Sequence, residues 1–161
     1  ATLGDVSPAE TVAALARAKA SMVVGEFPDD VVVGCDSMLL LNDELLGKPH
    51  TVEATIERWK AQRGKEAQLL TGHAVWFGGE WVVDTVATTI RFGDVSDADI
   101  EAYARSGQPL ECAGAFTLDG LGAPFVRRVD GDPAAVVGLS LATLRTQLAK
   151  RGLTITDLWR R

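Results

Sequence analysis

A chain of 161 residues and 17.1 kDa is long enough to bury a full hydrophobic core, and a single domain spanning residues 1–161 is the expectation. Its 47% hydrophobic and 24% charged content is that of an ordinary globular protein, and a net charge of −6 disfavours nonspecific binding to nucleic acid. No stretch approaches the roughly 18 apolar residues of a membrane helix, and the cysteines and histidines, two of each, are too few for a thiol or imidazole zinc site. A metal here should be a hard cation held by carboxylate and phosphate oxygens.

The first predicted element is a helix. Ser7, Pro8 and Glu10 spell a Ser-x-x-Glu capping box with proline in the first turn. The stripe Val12, Leu15, Ala16, Met22 and Val23 has Lys19 at its centre. A lysine there either meets an anion or stretches its ammonium to water, and the spacing leaves both open. Residues 31–35 and 38–41 then read as two short strands separated by Asp36-Ser37. A carboxylate between apolar runs is costly to bury unless a metal, a cation or several donors hold it, which makes Asp36 a candidate site residue. The alternative is an Asp-Ser pair at a sheet edge bonding its own backbone.

Asn42-Asp43 reads as a tight turn into a short strand at residues 44–46, and Gly47-Lys48-Pro49 ends that unit. Thr51 caps a second helix that turns Ile56 and Trp59 inward and stops at Gly64. Extended segments at residues 68–70 and 74–77 flank Thr71-Gly72-His73, which reads as a turn. Gly78-Gly79 leads into one long strand over residues 81–92, with Val86, Thr88, Ile90 and Phe92 on one face. Ser96 opens a third helix, with Asp97 and Asp99 in its first turn, Ile100 and Tyr103 inside, and Gly107 and Pro109 after it. Six glycines between residues 107 and 138 suggest strands joined by tight turns, with Phe125-Val126 and Val136-Val137 as strand cores and no Walker-type phosphate loop. Ser140 caps a last helix with the stripe Leu141, Leu144 and Leu148, closed by Gly152 ahead of a short surface turn. Helices alternating with frequent hairpins predict an α/β fold with a mixed, twisted sheet and flanking helices.

Seven segments, in order, carry a resemblance: residues 10–20, Gly34-Cys35-Asp36-Ser37, Leu46-Gly47-Lys48-Pro49, Leu70-Thr71-Gly72-His73, Ala113-Gly114-Ala115-Phe116, residues 119–123 and residues 136–141. Together they resemble the Maf family of nucleotide pyrophosphatases. That resemblance implies a fold like that of inosine triphosphatases, with two lobes around a central cleft. It also implies cytoplasmic hydrolysis of nucleoside triphosphates to the monophosphate and pyrophosphate with Mg²⁺ or Mn²⁺, commonly by a homodimer; the charge and the lack of a membrane-length apolar run add the expectation of no nucleic-acid or membrane partner. Carried over residue by residue, it implies that Asp36 is the catalytic base and a metal ligand. Lys19 and Lys48 become phosphate contacts, and Ser37 and Asp119 bear on substrate choice.

The sequence also departs from the family pattern. The family's opening strand and Ser-x-Ser-Pro-Arg-Arg loop have no counterpart here, and the expectation is that such a segment precedes Ala1. Cys112 stands where lysine is common, Asp119 where pyrimidine-selective members carry glutamine, and Ser37 where they carry threonine; the last two argue against a thymidine or uridine triphosphate preference. The alternative function is a nucleotide-binding regulator of septum formation or cell division with little turnover.

Overall fold

The helices begin where side chains are available to cap them. In the computed structural model, which describes residues 6–159, Ser7 and Glu10 close the reciprocal capping box of α1 (Pro8–Val24). Thr51, Ser96 and Ser140 each accept the amide three residues on, starting α2 (Val52–Gln62), α3 (Asp97–Arg105) and α5 (Leu141–Lys150). The tail ends in a 3-10 turn over Ile155–Leu158, as the sequence suggests.

Five strands form one sheet in the order β2-β1-β3-β4-β5: β1 (Val32–Leu41), β2 (Glu44–Leu46), β3 (Glu66–Phe77), β4 (Glu80–Phe92) and β5 (Val126–Asp130). The α/β class with flanking helices is as expected, but every pairing among the described residues is antiparallel, where a mixed sheet was expected. Left-handed Asn42 and Asp43 join β1 to β2, and left-handed Gly78 and Gly79 join β3 to β4, so two of the connections are tight hairpins.

Two strand readings need correction. Asp36-Ser37 and Thr71-Gly72-His73 do not interrupt anything: β1 and β3 run straight through them, with Asp36 opposite Gly72 and Ser37 opposite Thr71. Cross-strand pairing along the whole ladder overrides the weak strand preference of Asp, Ser and Gly. A third correction concerns residues 107–138. Short 3-10 turns at Gln108–Glu111, Ala113–Ala115 and Ala123–Phe125 replace most of the predicted strands. Val136-Val137 lies in α4 (Pro133–Val137), a helix capped by Asp132 with proline in its first turn.

Alternation assigns the two faces of the sheet. Gly34, Asp36, Gly72 and Ala74 share the face that α1 covers. A Cβ added to Gly34 would come within 2.4 Å of the Ala16 carbonyl oxygen, and one on Gly72 within 2.2 Å of that of Val12, so helix backbone lies directly on strand backbone. Such an approach admits only a small-residue helix face, and the buried residues of α1 are Val12, Ala16 and Ala20. Leu15 and Met22 of the predicted stripe are instead exposed, at 40% and 81%. Lys19 therefore flanks the buried stripe rather than centring it.

The opposite face carries two separate apolar clusters. Leu39, Leu41, Leu69, Ile90 and Phe92 pack under α2 and α3 around Trp59, whose ring meets Phe92, Tyr103 and Phe125 edge-on. Val75 packs with Leu144 and Leu148 of α5. Leu141, predicted to share that stripe, is 60% exposed, and Gln147 is buried in its place. Between the two clusters lie the buried polar side chains of Thr71, His73 and Thr88, with buried Ala135 of α4 packed beside them.

Candidate active site

Because β2 pairs only with residues 39–41 of β1, no described strand pairs with the other edge of β1 at Cys35, Asp36 and Ser37. A cleft of about 250 Å³ opens beside that edge. All five residues singled out from the sequence line it: Lys19, Asp36, Ser37, Lys48 and Asp119. They come from α1, β1, the turn after β2 and the loop before β5, and from positions 100 residues apart in the chain.

Asp36 lies within a strand, with 16% of its side chain exposed, and forms an ion pair with Lys19, whose side chain is 54% exposed. The apolar flanks of Asp36 thus enclose a carboxylate that a cation holds, and the ammonium of Lys19 reaches past the helix to do so. Lys48 stands on the facing wall, on a turn anchored by Arg58, which donates to the Gly47 carbonyl at 3.0 Å. Buried Pro49 follows, and the His50 amide donates to the Leu110 carbonyl at 2.8 Å.

The loop carrying Asp119 is also braced. Gln108 Oε1 accepts from the Leu121 amide at 2.6 Å and from Thr117 Oγ1 at 2.7 Å, while Tyr103 Oη accepts from the Thr117 amide at 3.0 Å. A Cβ on Gly122 would come within 2.4 Å of Tyr103 Oη, so this glycine serves close packing rather than a phosphate loop. The Ala-Gly-Ala-Phe motif has a structural part as well: Trp59 Nε1 donates to the Ala115 carbonyl at 2.6 Å, and Gln62 Nε2 to that of Gly114 at 2.9 Å.

Ser37 is oriented from behind. Its Oγ lies 2.8 Å from Thr71 Oγ1, and Thr71, fully buried, donates to the Ala135 carbonyl at 3.3 Å. A threonine hydroxyl has one proton, so Ser37 must donate to Thr71. The free capacity of Ser37 toward the cleft is then that of an acceptor.

Sequence reasoning missed several lining residues: Cys35, Glu111, Cys112, Phe116, Thr117 and the 136–138 segment. Cys35 and Cys112 are both free and half-buried in the cleft wall. Burial pushes both thiols up, outweighing nearby Lys19 for Cys35 and Lys48 for Cys112, so neither is a thiolate nucleophile at neutral pH. For residues 136–138, Asp132-Pro133 was the available signal, an N-cap followed by a first-turn proline.

The family described as Maf-like protein matches residues 2–151. The chain belongs to the Maf family. Its relatives include the nucleoside triphosphate pyrophosphatase of Corynebacterium aurimucosum, 57% identical over 98% of this chain and 79% of that protein. The protein of the same name in Corynebacterium efficiens is 56% identical over 99% of this chain and 81% of the relative. That of Nocardia farcinica is 49% identical over 97% and 78%.

The donor set of this Maf-family cleft bears on the metal question. Among the described residues no group of three or more His, Cys, Asp or Glu side chains could hold an ion by itself. The cleft lining carries three carboxylates, Asp36, Glu111 and Asp119, against two lysines. A triphosphate entering it needs further positive charge, and one carboxylate plus phosphate oxygens is the usual donor set for Mg²⁺. The residues therefore fit an ion that arrives with the nucleotide.

Proposed function

We propose that this chain is a nucleoside triphosphate pyrophosphatase, hydrolysing the bond between the α- and β-phosphates to release a nucleoside monophosphate and pyrophosphate. One observation carries the reading beside the names of its relatives: an aspartate and two lysines from distant segments line one cleft. Hydrolysis at phosphorus asks mainly for positioning and charge neutralisation, which such a set supplies.

In this reading Asp36 orients the attacking water and accepts its proton as oxygen bonds to the α-phosphorus and the bond to the bridging oxygen breaks. Lys19, paired with Asp36 in the free protein, exchanges that partner for a phosphate oxygen when substrate enters, leaving the carboxylate free to act. Lys48 neutralises charge on the departing pyrophosphate from the other wall. Ser37 accepts from a donor on the sugar or base, and Asp119 does the same at the far side. A divalent cation, Mg²⁺ or Mn²⁺, would be held by Asp36 and the phosphates; when bound, it neutralises phosphate charge and acidifies coordinated water.

The test is pyrophosphate release across a panel of standard and modified triphosphates, with Asp36→Asn beside the wild type in a chain that carries the family's opening segment. Turnover should be nearly abolished in the variant while its circular dichroism is unchanged; equal activity in the two proteins would reject the assignment of Asp36. A protein that only binds nucleotide, as a regulator of division would, gains melting temperature from triphosphate plus Mg²⁺ without releasing pyrophosphate. No helix among the described residues is long and apolar enough to cross a membrane. The reading extends to a homodimer in the cytoplasm, which sedimentation and cell fractionation test.

A further inference from the structure

His73 is fully buried on the central strand β3, one face away from Asp36, and no step above uses it. Both its ring nitrogens are engaged. The Ser140 amide can only donate, and it does so to Nε2 at 2.8 Å. Nε2 therefore carries the lone pair and Nδ1 the proton, which it donates to the Thr71 carbonyl at 3.1 Å. The imidazole is thereby fixed in one neutral tautomer, bridging β3 to the first residue ahead of α5.

The bridge is part of a closed circuit. Ser37 donates to Thr71, and Thr71 donates to the Ala135 carbonyl in α4. Asp132 caps α4 through the Ala134 amide at 2.9 Å and also accepts from the Ser140 hydroxyl. The Ser140 amide returns to His73, and His73 to Thr71. Outside the ring, Gln147 Nε2 ties α5 to the His73 carbonyl at 3.0 Å and to Asp84 Oδ2 at 3.0 Å. The segment enclosed by this circuit supplies Val136, Val137 and Gly138 to the cleft wall, and Ser37, which also lines the cleft, hangs on the circuit through Thr71.

We propose that His73 is a positioning residue for the cleft: by bridging Thr71 and Ser140 it fixes the Ser37 hydroxyl and the 136–138 wall relative to Asp36. The proposal rests on the pyrophosphatase reading for its kinetic consequences only. Its structural consequence, that the cleft wall loosens when the bridge to Ser140 is cut, stands apart from any activity.

Two isosteric substitutions separate the two ends of the ring. Gln can place an acceptor near the Nε2 position and keep the Ser140 bond; Asn can place a donor near Nδ1 and keep only the Thr71 bond. Amide hydrogen exchange on the full-length protein should show residues 135–140 losing protection in His73→Asn and keeping most of it in His73→Gln. Equal protection of that segment in wild type, His73→Asn and His73→Gln overturns the proposal, whatever the enzyme does.

Kinetics, measured well below each melting temperature, should show kcat falling roughly tenfold or more in His73→Asn with KM within about threefold, and largely rescued in His73→Gln, since small misplacements of positioned groups cost rate steeply. A residue that merely stabilised the fold would lower the melting temperature without this split or this rescue, and an unchanged kcat in folded His73→Asn also refutes the assignment. If the wild type releases no pyrophosphate, the pyrophosphatase reading fails while the exchange experiment still decides the role of His73. Should His73→Asn fail to fold, Ser140→Pro, which deletes the amide donor and keeps the imidazole, takes its place in both measurements, read against Ser140→Ala, which lacks the same hydroxyl but keeps the amide.

Discussion

At the scale of single residues, the site depends on charge exchanged between partners. Lys19 and Lys48 have the same charge but different work in the free protein: one is committed to Asp36, while no ion pair to Lys48 is seen among the described residues. Each lysine, replaced by Ala, should lose roughly 3 kcal/mol of transition-state stabilisation, about a hundredfold in kcat/KM, the cost of deleting one preorganised charge-stabilising group. Lys19→Ala should be modestly the less stable of the two, because it leaves the mostly buried Asp36 carboxylate without its cation. The Lys19–Asp36 pair has a half-exposed ammonium, and such pairs contribute under about 1 kcal/mol. Steady-state kinetics and denaturant melts on the two variants check both halves. A Lys19→Ala protein with wild-type kcat/KM would remove Lys19 from the phosphate site and leave it as a structural partner of Asp36.

At the scale of elements, the packing of α1 on the sheet decides how far Lys19 can reach. Gly34 and Gly72 permit the helix backbone to lie on β1 and β3, and that contact selects Ala16 and Ala20 as the buried face. Gly72→Ala should destabilise by about 3 kcal/mol through overpacking against backbone that has nowhere to move, lowering the melting temperature by roughly 10 °C. Gly64→Ala, whose Cβ meets open space but whose φ is +70°, should lose less. Calorimetry on the pair separates crowding from backbone strain.

The same contact explains what the sequence concealed. Helix starts were legible because a cap and the amide it accepts lie three residues apart. The buried face of α1 was not, because it is chosen by glycines 14 or more positions beyond Ala20, in other elements. Asp36-Ser37 and Thr71-Gly72 looked like breaks for a related reason: each is a poor strand former alone, and each is the other's cross-strand partner. Asp36 and Lys19 stood out as charged groups among apolar neighbours, and Ser37, Lys48 and Asp119 took their site roles from motif resemblance. Thr71, His73 and Ser140 were passed over as site members because their part is played by hydrogen bonds behind the cleft rather than by chemistry facing it.

At the scale of the whole molecule, that buried circuit should make stability depend on pH. His73 has its imidazole pushed below the usual 6.5, first because burial disfavours the cation; the Thr71 carbonyl and the carboxylates of Asp132 and Asp84 oppose this without reversing it. The unfolded chain therefore binds a proton near 6.5 that the folded chain binds only at lower pH. Between those two values the unfolded state holds more protons, so stability falls as pH falls through that window, by at most about 1.4 kcal/mol per pH unit for the one proton. Asp132 acts in the same direction further down, since its hydrogen bonds, chiefly from Ser140, hold its carboxyl below the ordinary 3.8. That stability is present above the unfolded value and lost as acid protonates the folded carboxylate. Urea melts between pH 8 and pH 5 should accordingly show the wild type weakening from about pH 6.5 downward, and His73→Gln, which has no imidazole to titrate, should show a flatter profile over that interval. The comparison isolates the ring from the rest of the acidic chain, because every carboxylate remains in both proteins. Parallel profiles in the two would mean that the folded and unfolded chains bind the His73 proton alike, and the neutral tautomer read from Ser140 and Thr71 would have to be abandoned.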